Sequence, residues 1–199
     1  MIFIHINVHF GIGVIIASIF HHIFYFSFLE FTIIVIFSFI MDFDIFFSKY
    51  ARDHNHRMLI THSIIPSIIL LIVGLIFLSP FLLVCALAYF IHALIDTFDW
   101  GTNFLGFHKK PWGAKLLITK EELENLDKHL SNFKVKKSFF DFKYYSNKVI
   151  LFIEISVAFF MLLFIILFAL EYIIITLLYI PFLLFHLLGF LHLKRIESH

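Results

Sequence analysis

Charge is scarce in this sequence. Only 15% of its 199 residues are Asp, Glu, Lys or Arg, against 61% hydrophobic residues, whereas soluble domains run nearer a quarter charged and half apolar. That shortage excludes an ordinary soluble globular protein and places the chain in the membrane class. A net charge of +1 excludes the basic surface that a nucleic-acid partner requires. Cysteine is scarcer still. Cys85 is the only one, so no intramolecular disulfide can form, and its place in an apolar run reads as packing rather than reactivity. The first twenty residues lack the basic n-region and cleavage site of a signal peptide, so the first segment is expected to stay as a span. Repeats and low-complexity tracts are absent beyond the hydrophobic bias, to which 30 Phe contribute.

What is present is a series of apolar runs. Crossing ~30 Å of hydrocarbon at ~1.5 Å per residue takes about 20 residues. Candidate spans cover roughly 3–22, 26–47, 62–79 and 81–96, with Ser79-Pro80 as the turn between the last two. From Val149 to Leu193 the chain is almost wholly apolar, too long for one crossing and right for two, with Glu171 at their turn. Pro181 is a candidate kink in the last helix. The fold class predicted is therefore all-α, a polytopic membrane protein of about six transmembrane helices. Residues 1–97 form a four-helix membrane region, 98–148 a polar segment, and 149–199 a C-terminal two-helix hairpin.

Charge placement tests that count. With odd helices crossing from side A to side B, all 15 Lys and Arg fall on side A and none on the three side-B turns. A wrong count would scatter them. The positive-inside rule makes side A cytoplasmic, with both termini there, in the inner (cytoplasmic) membrane.

The 98–148 segment has its own pattern. Thr119 and Glu122 read as a capping box, and Leu123, Leu126, Leu130 and Phe133 form a helical stripe. Lys134, Lys136 and Lys137 follow, interleaved with Phe139, Phe140, Phe142, Tyr144 and Tyr145. This predicts an amphipathic element on an anionic leaflet; the alternative is a loop packed against the helix ends.

Ionisable residues in or at the ends of membrane helices are costly, and usually functional. They gather on side A. His5 and His9 start the first helix, Asp42 and Asp44 end the second, His56, Arg57 and His62 precede or open the third, and His92 and Asp96 close the fourth. His92 and Asp96 are one turn apart and can face one ion. Asp42 and Asp44 would lie about 200° apart on a helix, so both can serve one site only where the helix has ended or unwound. His56 and His62 likewise need the chain to turn between them, with Thr61 as a candidate cap. Imidazole and carboxylate donors suit zinc, with manganese or iron as alternatives. Any one of these residues alone is more readily a core histidine or a capping aspartate. Their convergence at one depth is what points to a metal or catalytic site. Glu154, about one turn into the fifth helix, is a candidate partner or base, while His21 and His22 lie on the opposite side as interfacial residues.

The order of these motifs resembles a known family. His9-Phe-Gly-Ile-Gly13 looks like its opening His-x-x-x-Gly, and Met41-Asp42-Phe-Asp44 like its Pro-Asp-x-Asp with Met41 in place of proline. His56-Arg57-Met-Leu-Ile-Thr61-His62-Ser63 is similar to its His-Arg-x-x-Thr-His-Ser with one extra residue, and His92-Ala-Leu-Ile-Asp96 followed by Trp100-Gly101 to its His-x-x-x-Asp and aromatic-Gly pair. The family is the YdjM-type inner-membrane-associated metal-dependent hydrolases, related at pattern level to the zinc-dependent phospholipase C and P1 nuclease group. The resemblance covers roughly residues 5–115 and implies a hydrolase of phosphoesters.

The function expected is hydrolysis of an amphiphilic substrate, a phospholipid or polyprenyl phosphate, by metal-activated water. His9, Asp42, Asp44, His62, His92 and Asp96 are the expected ligands of one or more divalent ions. Arg57 is expected to bind a phosphate oxygen in forked geometry, and His56 to ligate or to protonate the leaving group. The partners expected are membrane lipids and that small molecule. A transporter passing metal ions or protons through the same cluster is the alternative, disfavoured because the middles of the first four helices carry no charge. A non-catalytic adaptor would leave the cluster unexplained.

Overall fold

The computed structural model describes residues 6–198, so His5 and His199 lie outside the described residues. The chain is all-helical, with no strand among the described residues. Helix α1 (Ile6–Phe24) leads to α2 (Phe28–Phe37), whose start is fixed by a capping box between Ser27 and Glu30. The chain then tightens into a 3₁₀ helix over Ile40–Tyr50, bent 42° from α2. Three short 3₁₀ turns at Arg52–His54, His56–Met58 and Ile60–His62 precede α3 (Ile65–Ile76). Helix α4 (Pro80–Asp99) starts with Ser79 as its cap and Pro80 in its first turn, where the missing N–H costs nothing.

Four segments are long and apolar enough to cross a membrane: α1, α4, α8 (Lys148–Phe168) and the stretch Leu170–Ser198, which contains α9 (Tyr179–Ser198). The bent pair over 28–50 makes a fifth if it acts as one span. The third apolar run, expected over 62–79, contains only the 12 residues of α3, ~18 Å at ~1.5 Å per residue and short of a full ~30 Å crossing. Pro181 falls in the first turn of α9, where the missing N–H is tolerated.

The bundle has an inside and an outside. Two thirds of the α1 span is buried within the protein, against 17% of the α8 span. Helix α1 is the central post, packed against α2, α4, α8 and α9. Phe10, Val14, Phe31, Ile34, Val84, Cys85 and Ile165 fill the space between. Cys85 is wholly buried there and packs as expected of a thiol in an apolar run. Phe152, Ile155, Phe159 and Ile166 of α8 face outward, which suits hydrocarbon and not water.

Beyond α4 lie α5 (Lys120–Glu124), α6 (Leu126–Leu130) and α7 (Lys136–Ser146). The Thr119–Glu122 capping box is present. Leu123, Leu126, Leu130 and Phe133 do not form an outward stripe. They pack on Trp100, Leu117, Ile118, Phe139, Phe140 and Tyr144 in a second small core. The segment thus packs against the end of α4 and the start of α8, on Trp100, Ile150 and Leu151.

Candidate metal centre

Each helix end contributes for a local reason. Gly13 lets α2 close on α1: a Cβ there would stand 2.1 Å from Ser38 Oγ. Through that gap Ser38 Oγ donates to the His9 carbonyl at 2.8 Å. The Ser38 carbonyl in turn accepts from His92 Nδ1 at 2.6 Å. A backbone carbonyl can only accept, so His92 carries its proton on Nδ1 and presents an Nε2 lone pair to the cluster.

That lone pair faces carboxylate oxygen. His92 Nε2 lies 3.4 Å from Asp96 Oδ2 and 3.6 Å from Asp42 Oδ1, without a hydrogen bond. Asp96, wholly buried, also has His62 Nε2 at 2.7 Å, His9 Nε2 at 3.4 Å and Arg57 Nη2 at 3.3 Å. The His9 and His92 rings stack with centroids 3.7 Å apart. The second carboxylate, Asp44, accepts from Thr61 Oγ1 at 2.6 Å and contacts His56 Nδ1 at 2.8 Å and His62 Nδ1 at 3.0 Å. Thr61 therefore braces Asp44 and does not cap α3, whose cap position is Ile64.

The unwinding required for Asp42 and Asp44 is present. The 3₁₀ helix over 40–50 buries both carboxylates, one beside His92 and the other beside His56 and His62. The turns at 52–62 carry His56 and His62 into the same cluster from outside the helices. All eight residues singled out from sequence are thus buried together: His9, Asp42, Asp44, His56, Arg57, His62, His92 and Asp96.

Arg57 sits differently from the expectation. Its fork is closed on Asp99, Nη1 to Oδ1 at 2.6 Å and Nη2 to Oδ2 at 2.9 Å, and the side chain is buried. Both donor edges are engaged by α4 carboxylates, so it stands as a brace for Asp96 and Asp99 and not as an open phosphate clamp. Burial opposes the guanidinium charge, but Asp96 and Asp99 more than offset it and hold the group above its ordinary value. Burial pushes the His56 imidazole below its ordinary value, with the Asp44 hydrogen bond opposing. His56 is therefore neutral near pH 7 and keeps a lone pair.

Among the described residues, three trios have ligand atoms within 4.8 Å of one another: His9, His92 and Asp96; Asp42, His62 and His92; Asp44, His56 and His62. Four carboxylates (Asp42, Asp44, Asp96 and Asp99) face one guanidinium, a net of −3 with neutral imidazoles and of −2 with a protonated His62, whose two ring nitrogens both meet carboxylate oxygen. Buried unpaired charge of that size costs several kcal/mol per ion. His9 Nδ1, Asp42 Oδ2, His92 Nε2 and Asp96 Oδ1 are buried without a hydrogen-bond partner. Nitrogen and oxygen donors, a negative excess and buried polar atoms without a hydrogen bond fit a divalent cation.

Sequence reasoning missed Asp99, three residues after Asp96, although the lone Arg57 beside three candidate carboxylates signals a need for a dedicated partner. Glu154 lies outside the cluster. Its oxygens accept from Asn7 Nδ2 and Tyr144 OH, each at 2.6 Å. At the far end of α1, His21 Nε2 pairs with Glu171 at 2.7 Å, so His21 is a buried partner and not a free interfacial side chain. Comparison with protein-family models, with curated proteins and with solved structures finds no match.

Proposed function

We propose that this chain is a membrane-embedded metal-dependent hydrolase that cleaves phosphoester bonds in an amphiphilic substrate, a phospholipid or polyprenyl phosphate. The observation that carries the reading is the set of buried, unpartnered donor atoms on His9, Asp42, His92 and Asp96 at one end of the bundle. The motif order shared with the YdjM-type hydrolases supports it. Divalent ions, zinc first and manganese or iron as alternatives, would be held by His9, Asp42, Asp44, His62, His92 and Asp96. Such an ion would supply a Lewis acid and bring the pKa of water to about 7.

The remaining chemistry belongs to the chain. Ser38 fixes the tautomer of His92. Asp44 orients His56 through Nδ1, leaving the Nε2 lone pair to take a proton from the attacking water and pass it on to the leaving oxygen, or to ligate an ion. Arg57 holds Asp96 in place while its second partner, Asp99, takes up the rest of its charge. The topology of this reading has six crossings, the short α3 being completed by the turns beside it, with both termini and the site on the cytoplasmic side. The one-sided placement of all basic residues and the His21–Glu171 contact at the other end support that arrangement. Between the two ends α1 is packed in Phe10, Val14, Ala17 and Val84, an apolar plug that disfavours a transport path.

One experiment tests this. Detergent-purified protein is assayed for bound metal, for phosphate release from lipid phosphates in micelles, and for metal uptake in vesicles. Metal-dependent phosphate release is expected, lost in His92→Ala together with the metal. Arg57→Lys keeps a charge beside Asp96 but loses the fork. It should retain metal while turnover falls with misplacement of Asp96. Metal uptake by wild type without hydrolysis of a broad phosphoester panel replaces the hydrolase with a transporter.

A further inference from the structure

The loop that follows α4 is built with unusual care for a connection. Gly101 and Gly106 adopt positive φ of 79° and 88°, and a two-way bridge joins Thr102 to Trp112. Asn103 Oδ1 accepts from the His108 amide at 2.7 Å, while Asn103 Nδ2 donates to the Met58 carbonyl at 3.2 Å. Thr102 Oγ1 donates to the carbonyls of Arg57 and His62, and Arg52 Nη1 to the carbonyl of Lys109. Trp112 is stacked between Phe104 and His108. The base of the loop is therefore locked to the segment that carries Arg57 and His62.

Its tip is apolar and open. Phe107 is 74% exposed, Leu116 55% and Trp112 50%. A rigid loop cannot fold these side chains away, so their apolar surface needs a partner. The charge around them is of one sign: Lys109, Lys110, Lys115 and Lys120 fall between Asp99 and Glu121, with no carboxylate among them. The loop leaves α4 right after its last residue, Asp99, at the level where a bilayer presents headgroups. Aromatic rings beside lysines at that level match a lipid interface with anionic headgroups.

We propose that residues 105–116 form a preformed platform that seats Phe107, Trp112 and Leu116 in the headgroup layer of an anionic leaflet, beside the His/Asp cluster. The surface-seeking element is thus this loop and not the stripe at 123–133, which is used up in the second core. The platform needs neither bound metal nor turnover, so its failure and that of the hydrolase reading are separable.

Tryptophan emission tests it. The protein has two Trp, and Trp100 is buried, so the difference between wild type and Trp112→Phe isolates Trp112. In vesicles, the Trp112 emission is expected to be blue-shifted and quenched by brominated lipid. At equal bromine content, brominated phosphatidylglycerol should quench more than brominated phosphatidylcholine. Lys109→Gln with Lys110→Gln should weaken that preference, by about fivefold per lysine removed at an anionic surface. A red-shifted Trp112 reached by aqueous iodide and blind to brominated lipid overturns the proposal. So does equal quenching by the two lipids. A blue-shifted Trp112 reached by neither quencher also overturns it, in favour of a second protein surface. Where Trp112→Phe does not fold, a nitroxide at Phe107→Cys in a Cys85→Ala background gives the same decision, with oxygen accessibility above that of a water-soluble nickel complex expected and the reverse ruling it out.

Discussion

Asn7 and His9 stand two residues apart on α1 and enter two different polar environments. Asn7 meets Glu154, whose oxygens each accept one short hydrogen bond, from the Asn7 amide and the Tyr144 hydroxyl. His9 meets Asp96 and His92, where nitrogens and carboxylate oxygens crowd together and several atoms have no hydrogen bond. Both regions bury polar groups beside apolar helices, and burial without partners is costly in either. The Glu154 node meets that cost with neutral donors. The His9 cluster gathers donors of electron pairs and too few positive groups, which is the arrangement a cation completes. The lesson is that burial alone does not mark a functional carboxylate; the nature of its partners does.

The comparison breaks first at Asp96. It contacts His9, His62, His92 and Arg57, so Asp96→Ala takes a buried carboxylate from three histidines at once and leaves Arg57 with Asp99 alone. Loss of bound metal is expected, with destabilisation of ~3–5 kcal/mol, the usual effect of breaking a buried ion pair. Asp96→Asn, which keeps the shape, should also lose metal. Full metal content in Asp96→Asn, measured by elemental mass spectrometry, would remove Asp96 from the ligand set.

Chelation probes the same cluster without mutation. A ligand that binds only the folded state stabilises it by ~2.7 kcal/mol at a hundredfold excess over Kd. Stripping divalent ions should therefore lower the melting temperature, and adding them back should restore it in a concentration-dependent way. Unchanged melting and unchanged metal content together would mean that protons on the histidines, and not an ion, offset the carboxylates.

Glu154→Leu is the control from the other region. It removes the acceptor that the Tyr144 hydroxyl and the Asn7 amide share, leaving the amide its longer bond to the Tyr179 hydroxyl, a cost of ~1–3 kcal/mol. Metal content should stay at the wild-type level, and the variant should still melt lower after chelation. A Glu154→Leu protein that purifies without metal would join the two regions into one site.

Much of this was legible before any coordinates. That His9, Asp42, His62 and Asp96 meet at one end of the bundle follows from counting apolar runs. The need for Asp42 and Asp44 to leave helical geometry follows from their two-residue spacing, and the 3₁₀ segment at 40–50 meets it. What was not legible depends on backbone atoms and on chain reversals. The Ser38 carbonyl that sets the His92 tautomer has no side-chain signature. Arg57 read as a free cation because its partner Asp99 is brought to it only by the turns at 52–62. Likewise the stripe at 123–133 has the period of a surface helix, and only the later aromatic residues Phe139, Phe140 and Tyr144 determine that it turns inward.

The smallest effect concerns how that second core is fastened, and it sharpens the contrast between ion-filled and self-satisfied carboxylates. Glu122 completes the capping box with Thr119 and meets Lys143 Nζ of α7 at 2.5 Å. Partial burial raises its pKa, but the bonds from Lys143 and Thr119 outweigh this and bring it from 4.5 to about 2. A folded-state pKa below the unfolded one means that the unfolded chain binds the proton more readily. The stabilisation is therefore full above pH 4.5 and fades as pH falls towards 2. Glu122→Gln retains the capping reach but not the charge. Its cost at neutral pH should stay below ~1 kcal/mol, as for other partly exposed ion pairs, and should shrink further in high salt. Hydrogen exchange of the α5–α7 amides is the suitable readout, because global melting in acid would also report loss of metal. The protection difference between wild type and Glu122→Gln should close as pH drops through that window. A difference that persists undiminished at its lower edge would place the fastening in the capping geometry and not in the Lys143 charge.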